Sequence, residues 1–201
     1  MKKLISAILI LFLCVGIYSC SKNDSASTAS TATTDNSSSP EVIIFPYSTD
    51  SQYAYNAHKA AYGCSGTNSS GYTLAPFFST STHDLKDRLP SSKWSYPVYS
   101  VQGHKISSSW ESLWDVNLEM SLHQAEVIAD NDSWGEIGFW TGTKSDGTFS
   151  GNNCTGWSSD SSSDNATHGT FQAKDSSDWI DNSTTNCNTS GSNYFLCFQY
   201  N

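Results

Sequence analysis

The chain has 201 residues, with 10 Lys or Arg against 19 Asp or Glu, and a formal net charge of −9. Arg88 is the only arginine. A surface so poor in cations does not attract polyanions, which excludes nucleic acid as a partner and argues against heparin.

The first twenty residues have the organisation of an export signal. Two lysines precede an apolar run over residues 4–17. This run is shorter than the roughly 20 residues of a membrane span and is typical of a signal peptide. The Ile-Tyr-Ser-Cys sequence that ends at Cys20 resembles the bacterial lipobox. We therefore expect a lipoprotein signal peptide over residues 1–19 and lipidation of Cys20, unless Cys20 is incidental to an ordinary signal peptide.

Residues 20–40 are expected to be the lipidated cysteine and a flexible tether. After Cys20 this segment is mostly Ser, Thr, Ala, Asn and Asp, and it has no Val, Ile, Leu or aromatic residue. Such a segment cannot bury enough surface to offset its loss of conformational entropy. Residues 41–201 have the length of a single domain. A lipid, a tether and a domain predict a protein held at the surface of the outer membrane by its lipid anchor alone.

The first half of the domain predicts three extended segments and two short helices. In chain order they are a strand at 41–45, a helix at 52–62, a strand at 72–78, a helix from Ser81 or Thr82 to Leu89, and an extended segment at 96–101. Pro46, Gly63 and Pro90 supply the breaks between them.

The second half begins with a helix and ends with a strand. Trp110, Leu113 and Trp114 have the i, i+3, i+4 spacing of one helix face, and the serines at 107–109 are N-cap candidates. Residues 138–141 predict a strand, 145–148 a turn, 152–192 a long polar irregular region and 194–200 a final strand. The resulting fold class is α+β, with short strands, two or three short helices and long loops.

The aromatic and cysteine contents indicate a packed, oxidised domain. Seven Trp and ten Tyr are expected to lie mostly in the core, with some as exposed anchors for a partner. Cys64, Cys154, Cys187 and Cys197 remain after the leader. Four cysteines in an exported domain favour two disulfides, for which three pairings are possible.

Five groups of residues carry a family resemblance along the chain. They are 72–78 with 84–85, 96–99 with 109–113, 139–143 with 146–148, then Cys154, Trp157 and Gly169, and finally Cys187 with Leu196 and Cys197. In order and spacing they resemble the endostatin-like domain. This is a variant of the C-type lectin fold that occurs in collagen fragments and in surface lipoproteins of spirochaetes.

The resemblance implies a C-type lectin-like fold with nested disulfides, Cys64 with Cys197 and Cys154 with Cys187. It also implies a non-enzymatic protein that binds host matrix or plasma proteins, of which laminin, fibronectin, plasminogen and factor H are the candidates. The heparin-binding arginines and zinc-binding histidines of endostatin have no counterparts here. The calcium-dependent sugar-binding signatures of true C-type lectins are also absent from the sequence.

The loop between residues 155 and 186 is where we expect the partner to bind, by analogy with other C-type lectin folds. The candidate binding residues are Trp157, Asp160, Asp164, Asp175, Asp178 and Trp179. The aspartates could also offer oxygen ligands to calcium, although they lack the EF-hand spacing. The histidines have no zinc-site spacing, so no cofactor is expected.

The leading hypothesis is thus a surface lipoprotein that binds a host macromolecule and has no catalytic residues. Residues 63–66, Gly-Cys-Ser-Gly, lack the pattern of a nucleophile elbow. Two alternatives stay open. One is a carbohydrate-binding lectin-like module with loop calcium, and the other is a structural lipoprotein of the envelope without a host ligand.

Overall fold

A computed structural model describes residues 39–48, 57–128, 138–189 and 193–201. The predicted signal peptide, Cys20 and nearly all of the predicted tether lie outside the described residues, as does the first part of the helix predicted at 52–62. The described residues belong to one compact unit. Among them, no helix has the length and apolar character needed to cross a bilayer.

Ten short strands form two sheets within the described ranges. The strands are β1 Val42–Pro46, β2 Gly66–Thr67, β3 Thr73–Pro76, β4 Val98–Ser100, β5 Lys105–Ser107, β6 Gly138–Trp140, β7 Asn165–Thr170, β8 Ser183–Asn186, β9 Asn193–Tyr194 and β10 Leu196–Tyr200. The first sheet has the order β2-β3-β10-β1-β4-β5 and the second has the order β8-β7-β6-β9.

The first sheet joins the two ends of the domain. Strand β1 pairs with β10 in antiparallel orientation, so that Val42 lies opposite Tyr200. On its other side β1 pairs with β4 in parallel orientation. Val42 and Ile44 of β1 are fully buried while Ile43 between them is half-buried, which is the alternation expected of a strand with one face on the core. The first and last predicted strands therefore lie side by side at the centre of this sheet.

In the part of the chain that the structure describes, two short helical segments accompany the strands. Helix α1 spans Ala57–Gly63, and the second segment is a turn over Cys154–Trp157 whose residues have left-handed backbone angles. Within the described ranges, 3₁₀ turns cover Lys86–Arg88, Ser91–Lys93, Glu111–Asp115 and Ser177–Trp179. The fold is thus mixed α and β and consists mostly of strands.

The helix predicted from Ser81 or Thr82 to Leu89 is wrong. Only Lys86–Arg88 is helical there, as a single 3₁₀ turn. The backbone N–H of Leu85 donates instead to the side chain of buried Ser79, at 2.9 Å, and Arg88 Nε donates to the carbonyl of Phe78, at 2.7 Å. Tertiary partners have taken the place of the helical hydrogen bonds.

The long irregular region predicted at 152–192 is also wrong. It contains β7 and β8, which pair in antiparallel orientation over four residues from Asn165 opposite Asn186. The buried residues of β7 are small or polar, for example Ala166 and Thr167, so the sequence shows no apolar alternation. At Gly169 the reason is a close approach, because a side chain there would overlap the backbone of Trp179.

The core consists of two clusters separated by β6. Phe139 belongs to the larger cluster and Trp140 to the smaller one, and both are fully buried. Strand β6 is therefore covered on both faces. Of the six described tryptophans, four are buried, which confirms the expected core role for most of them; they are Trp110, Trp140, Trp157 and Trp179.

Two disulfides close the fold in the nested pairing that the resemblance implied. Cys64, just after α1, bonds to Cys197 in β10, with 5.5 Å between their Cα atoms. Cys154 in the left-handed turn bonds to Cys187, just after β8, with 5.6 Å between their Cα atoms. The inner disulfide belongs to the smaller cluster and therefore fixes the turn to the core.

Candidate binding site

The structure places the two tryptophans of the predicted binding set inside the protein. Trp157 is 4 % exposed and Trp179 is fully buried. Trp157 packs in the smaller cluster, against Phe78 at 5.3 Å between ring centroids. Trp179 packs in the larger cluster, against Phe77 at 6.4 Å. Neither ring presents a surface to a partner.

The four aspartates of that set are accessible but do not form one group. Asp160, Asp175 and Asp178 are exposed, and Asp164 is half-buried. Asp175 pairs with its neighbour Lys174 at 3.1 Å. Asp164 alone of the four lines a cleft, described below.

A left-handed turn borders this cleft. Residues 154–157 have φ values of 50°, 53°, 72° and 65°. Only Gly156 adopts such angles freely, and each of the other three costs about 1–2 kcal/mol. The inner disulfide and the indole N–H of Trp157, which donates to the carbonyl of Ser79 at 2.9 Å, hold the turn in place.

Buried hydroxyl groups stiffen the wall behind the turn. Thr143 Oγ1 lies 2.8 Å from the hydroxyl of Ser79, and Thr141 Oγ1 donates to the carbonyl of Ile180 at 2.8 Å. Gly142, with φ of 56°, lies against Trp157 so closely that a Cβ atom would stand 2.8 Å from the indole ring. These contacts join the turn to the end of β6.

An open polar cleft of about 320 Å³ lies beside the turn. Its lining combines three amides, two hydroxyls and one carboxylate; the residues are Gly151, Asn152, Asn153, Thr155, Ser163, Asp164 and Asn165. The carboxylate of Asp164 accepts a hydrogen bond from the hydroxyl of Thr155 at 3.1 Å. None of these described lining residues is aromatic, basic or a cysteine.

Asn153 is the most constrained residue of the lining. It is 6 % exposed, and its Oδ1 atom accepts the backbone N–H of Gly156 at 3.0 Å. That bond fixes the orientation of the amide. Its Nδ2 donor has no hydrogen-bond partner among the described residues. An unpaired buried donor costs about 1–3 kcal/mol, and native structures contain few of them.

No protein-family model matches the chain, and no curated protein matches it. The residues of the cleft themselves indicate its chemistry. An amide donates and accepts, a hydroxyl does both, and a carboxylate accepts. This mixture suits a ligand that is itself rich in donors and acceptors and carries little charge.

Metal ligands are sparse in the part of the chain that the structure describes. No three His, Cys, Asp or Glu side chains there lie close enough to share an ion. The cleft itself contributes one carboxylate, whereas calcium sites combine 6–8 oxygen ligands in which carboxylates usually predominate.

The single arginine is engaged in packing. Arg88 stands over the ring of Phe78, 5.5 Å from its centroid, and donates to the carbonyl of the same residue. Burial lowers the pKa of Arg88 from 12.5 to about 10, which leaves it charged at neutral pH. Its guanidinium therefore serves the fold.

The cleft could not be predicted from the sequence, because the residues that line it resemble those of an ordinary polar loop. Gly151, Asn152 and Asn153 precede Cys154 in a segment without apolar residues. The one indication was the position of Asn153 directly before a cysteine of the inner pair. Its burial depends on the turn and on the disulfide, which only the folded chain shows.

Proposed function

We propose that the protein is a surface-exposed bacterial lipoprotein whose folded domain binds a host matrix or plasma macromolecule and catalyses no reaction. The observation that carries this proposal is the polar cleft beside the left-handed turn. Its described residues can hold a ligand by hydrogen bonds.

The export signal and the disulfides support the extracellular part of the proposal. A sequence resembling a lipobox ends at Cys20, and the domain carries two disulfides, which persist in oxidising compartments. We further propose that the fold is a C-type lectin-like, endostatin-like arrangement. The paired end strands β1 and β10 and the nested disulfides support this assignment.

The charge of the domain limits the kind of partner. Three of the predicted binding aspartates are exposed, and the sole arginine is engaged in packing. A partner with a basic patch would be attracted to this surface. Laminin, fibronectin, plasminogen and factor H are the candidates to test first.

A pull-down with the complete oxidised chain against serum and matrix proteins tests the binding function. We expect saturable capture of a partner. Excess soluble chain should prevent this capture by competition, and reduction of the disulfides should abolish it. The matched control is the same chain reduced and alkylated. Absence of any saturable partner would contradict the proposal.

Lipid labelling and protease accessibility test the location. A Cys20→Ser variant is expected to lose incorporation of labelled fatty acid and to leave the membrane fraction. Protease added to intact cells is expected to remove the domain. Survival of the domain would favour the structural envelope lipoprotein instead.

The effect of calcium on thermal stability distinguishes the lectin alternative from the leading proposal. Calcium bound to the folded domain would raise its free energy of unfolding by about 2.7 kcal/mol at a calcium concentration 100 times Kd. The melting temperature would rise accordingly. Thermal denaturation in calcium and in EDTA measures this. Equal melting temperatures would count against the calcium-dependent module.

A further inference from the structure

We propose that the cleft beside the left-handed turn binds an arginine residue in an exposed peptide segment of the partner protein. The guanidinium pairs with the carboxylate of Asp164, and the amides and hydroxyls of the lining form hydrogen bonds to the rest of the segment. This inference rests on the proposed function and deepens it, because it names the chemical group of the partner that the domain recognises.

Asp164 is the one charged side chain of the cleft, and its carboxylate has room for a cation. An ionised carboxylate can accept about four hydrogen bonds, and the hydroxyl of Thr155 supplies one, at 3.1 Å. No lysine, arginine or histidine among the described residues forms an ion pair with it. The residue is half-buried, so its carboxylate has lost part of its hydration, which a cationic group of the partner would replace.

The fold holds this carboxylate in position before a partner arrives. The backbone N–H of Asp164 donates to the carbonyl of Ser161 at 3.3 Å, and its carbonyl accepts the N–H of Cys187 at 2.9 Å. The inner disulfide joins Cys187 to the turn that carries Thr155. Because the side chain is also held by the Thr155 hydroxyl, less side-chain entropy is lost on binding, which favours affinity.

Thr155 is a positioning residue for Asp164. Its φ of 53° lies in the left-handed region, which a β-branched residue rarely adopts. The hydrogen bond from its hydroxyl to the Asp164 carboxylate gives a reason for a threonine at this strained position.

The remaining lining favours arginine over other charged groups. Asn152 and Asn165 supply amides and Ser163 a hydroxyl in the same open cleft of about 320 Å³. A guanidinium presents its N–H donors in a planar fork and can bond to several acceptors at once, whereas an ammonium is a compact point charge. Peptide groups beside the arginine donate and accept, so they can pair with the amides. A phosphate or sulfate would be repelled by the Asp164 carboxylate.

Three capped tripeptides test the choice of ligand. The probe is Gly-Arg-Gly; Gly-Lys-Gly replaces the guanidinium by an ammonium, and a third peptide has citrulline, whose side chain is a neutral urea of nearly the same shape. The measurement is NMR titration of the complete oxidised chain in detergent, followed at the backbone N–H groups of Thr155 and Asp164. We expect saturable binding of the arginine peptide, and binding at least about tenfold weaker for the other two.

Variants of the chain test the site. Asp164→Asn keeps an acceptor for the Thr155 hydroxyl and removes the charge, and it should weaken binding of the arginine peptide at least about tenfold. Asp115→Asn, at an exposed aspartate outside the lining, matches the change in net charge and should leave binding unchanged. Thr155→Val keeps a β-branched residue without the hydroxyl and should weaken binding about threefold, whereas Thr155→Ser should recover it.

Several results would overturn the inference. They are an absence of saturable binding of the arginine peptide, equal binding of the lysine or citrulline peptide, and equal binding by Asp164→Asn and the original chain. The comparison of peptides uses the original chain, so it decides even where a variant does not fold. Failure of Thr155→Ser to recover binding would refute the positioning role of the hydroxyl.

A pull-down repeated with the variants separates this inference from the proposed function. Capture of the partner that Asp164→Asn weakens and Asp115→Asn leaves unchanged supports the arginine site. Undiminished capture by Asp164→Asn refutes the arginine site and keeps the binding function, whereas no capture by the original chain refutes the binding function.

Discussion

Trp157 shows how the fold can change the role of a single side chain. Its sequence position in the long polar loop favours an exposed anchor, yet it is 4 % exposed and its indole N–H donates to the carbonyl of Ser79. The ring packs against Phe78, Phe195 and Trp140. The tryptophan thus anchors the turn to the core.

Gly169→Ala should be among the most destabilising single changes in the domain. Its new methyl group would overlap the backbone carbonyl of Trp179, which cannot move without displacing the 3₁₀ turn at 177–179. We expect a loss of about 3 kcal/mol in the free energy of unfolding.

Gly151→Ala is the control for this change. Its added methyl group has no neighbour within 4 Å and meets only the cost of a φ of 90°, about 1 kcal/mol. Urea denaturation of both variants measures the difference. Equal losses would show that the close approach at Gly169 is not rigid.

Asp146 should make a pH-dependent contribution to stability. The hydroxyl and then the backbone N–H of Thr148 donate to its carboxylate and lower its pKa below 3.8. Because the pKa is lower in the folded state, the stabilisation is present above about pH 4 and is lost as the pH falls through the folded pKa.

The Asp146→Asn variant removes this titration. Its melting temperature should lie below that of the original chain at neutral pH, and the gap should narrow as the pH falls below about 4. Melting curves between neutral and acidic pH provide the test. A constant gap would mean that the carboxylate does not stabilise the turn through its charge.

The segment after residue 106 shows what the helical spacing could establish at the scale of an element. Trp110 and Leu113 are fully buried, as their spacing predicts, whereas Trp114 at i+4 is only half-buried, and the segment over Glu111–Asp115 is a 3₁₀ helix. Residues i and i+3 share one face in both helix types. The pattern therefore identifies the buried face without distinguishing the helix type.

Ser112→Ala should weaken this element. The Ser112 hydroxyl lies 2.7 Å from the hydroxyl of Ser107 and accepts the backbone N–H of Ser109 at 3.0 Å. Its removal leaves these polar groups without their partner, at an expected cost of about 1–2 kcal/mol.

Ser108→Ala is the matched control, because Ser108 is exposed and its hydroxyl makes a single solvent-exposed hydrogen bond, 3.1 Å long, to the Ser112 hydroxyl; its cost should stay within about 0.5 kcal/mol. Chemical denaturation of the two variants measures both values. A Ser112→Ala loss no larger than that of Ser108→Ala would contradict the role given to the hydroxyl cluster.

At the scale of the whole molecule, the two disulfides differ in the length of chain they close. The outer one joins residues 133 apart and the inner one joins residues 33 apart. In the chain-entropy model they stabilise by about 5 and about 3.7 kcal/mol as upper bounds. Replacing Cys64 and Cys197 by Ala should therefore lower the melting temperature more than replacing Cys154 and Cys187.

The inner pair should instead control the cleft. Its removal frees the left-handed turn, so we expect amide exchange to rise around residues 153–157 while β1 and β10 stay protected. Hydrogen exchange of the two double variants makes this comparison. Equal exchange at the turn in both variants would show that Trp157 alone holds it.

Sequence alone determined the parts of the protein that depend on local pattern. The apolar run from Val42 to Phe45, ended by Pro46, and the apolar final strand required no partner to be recognised, because short β-branched and aromatic runs bounded by turn residues are typical of strands. The four cysteines indicated two disulfides, and an ordered family resemblance chose their pairing. Signal-peptide and lipobox patterns carried the proposal for Cys20.

Tertiary structure decided whatever depends on contact between distant residues. Strand β7 has small and polar buried residues, and at Gly169 the reason is that the strand lies against the backbone of Trp179, a constraint invisible in a window of sequence. The hydroxyl of Ser79 accepts a hydrogen bond from the backbone N–H of Leu85, which therefore does not form a helical hydrogen bond. The cleft arises because one disulfide and one tryptophan hold a left-handed turn that its own residues do not favour.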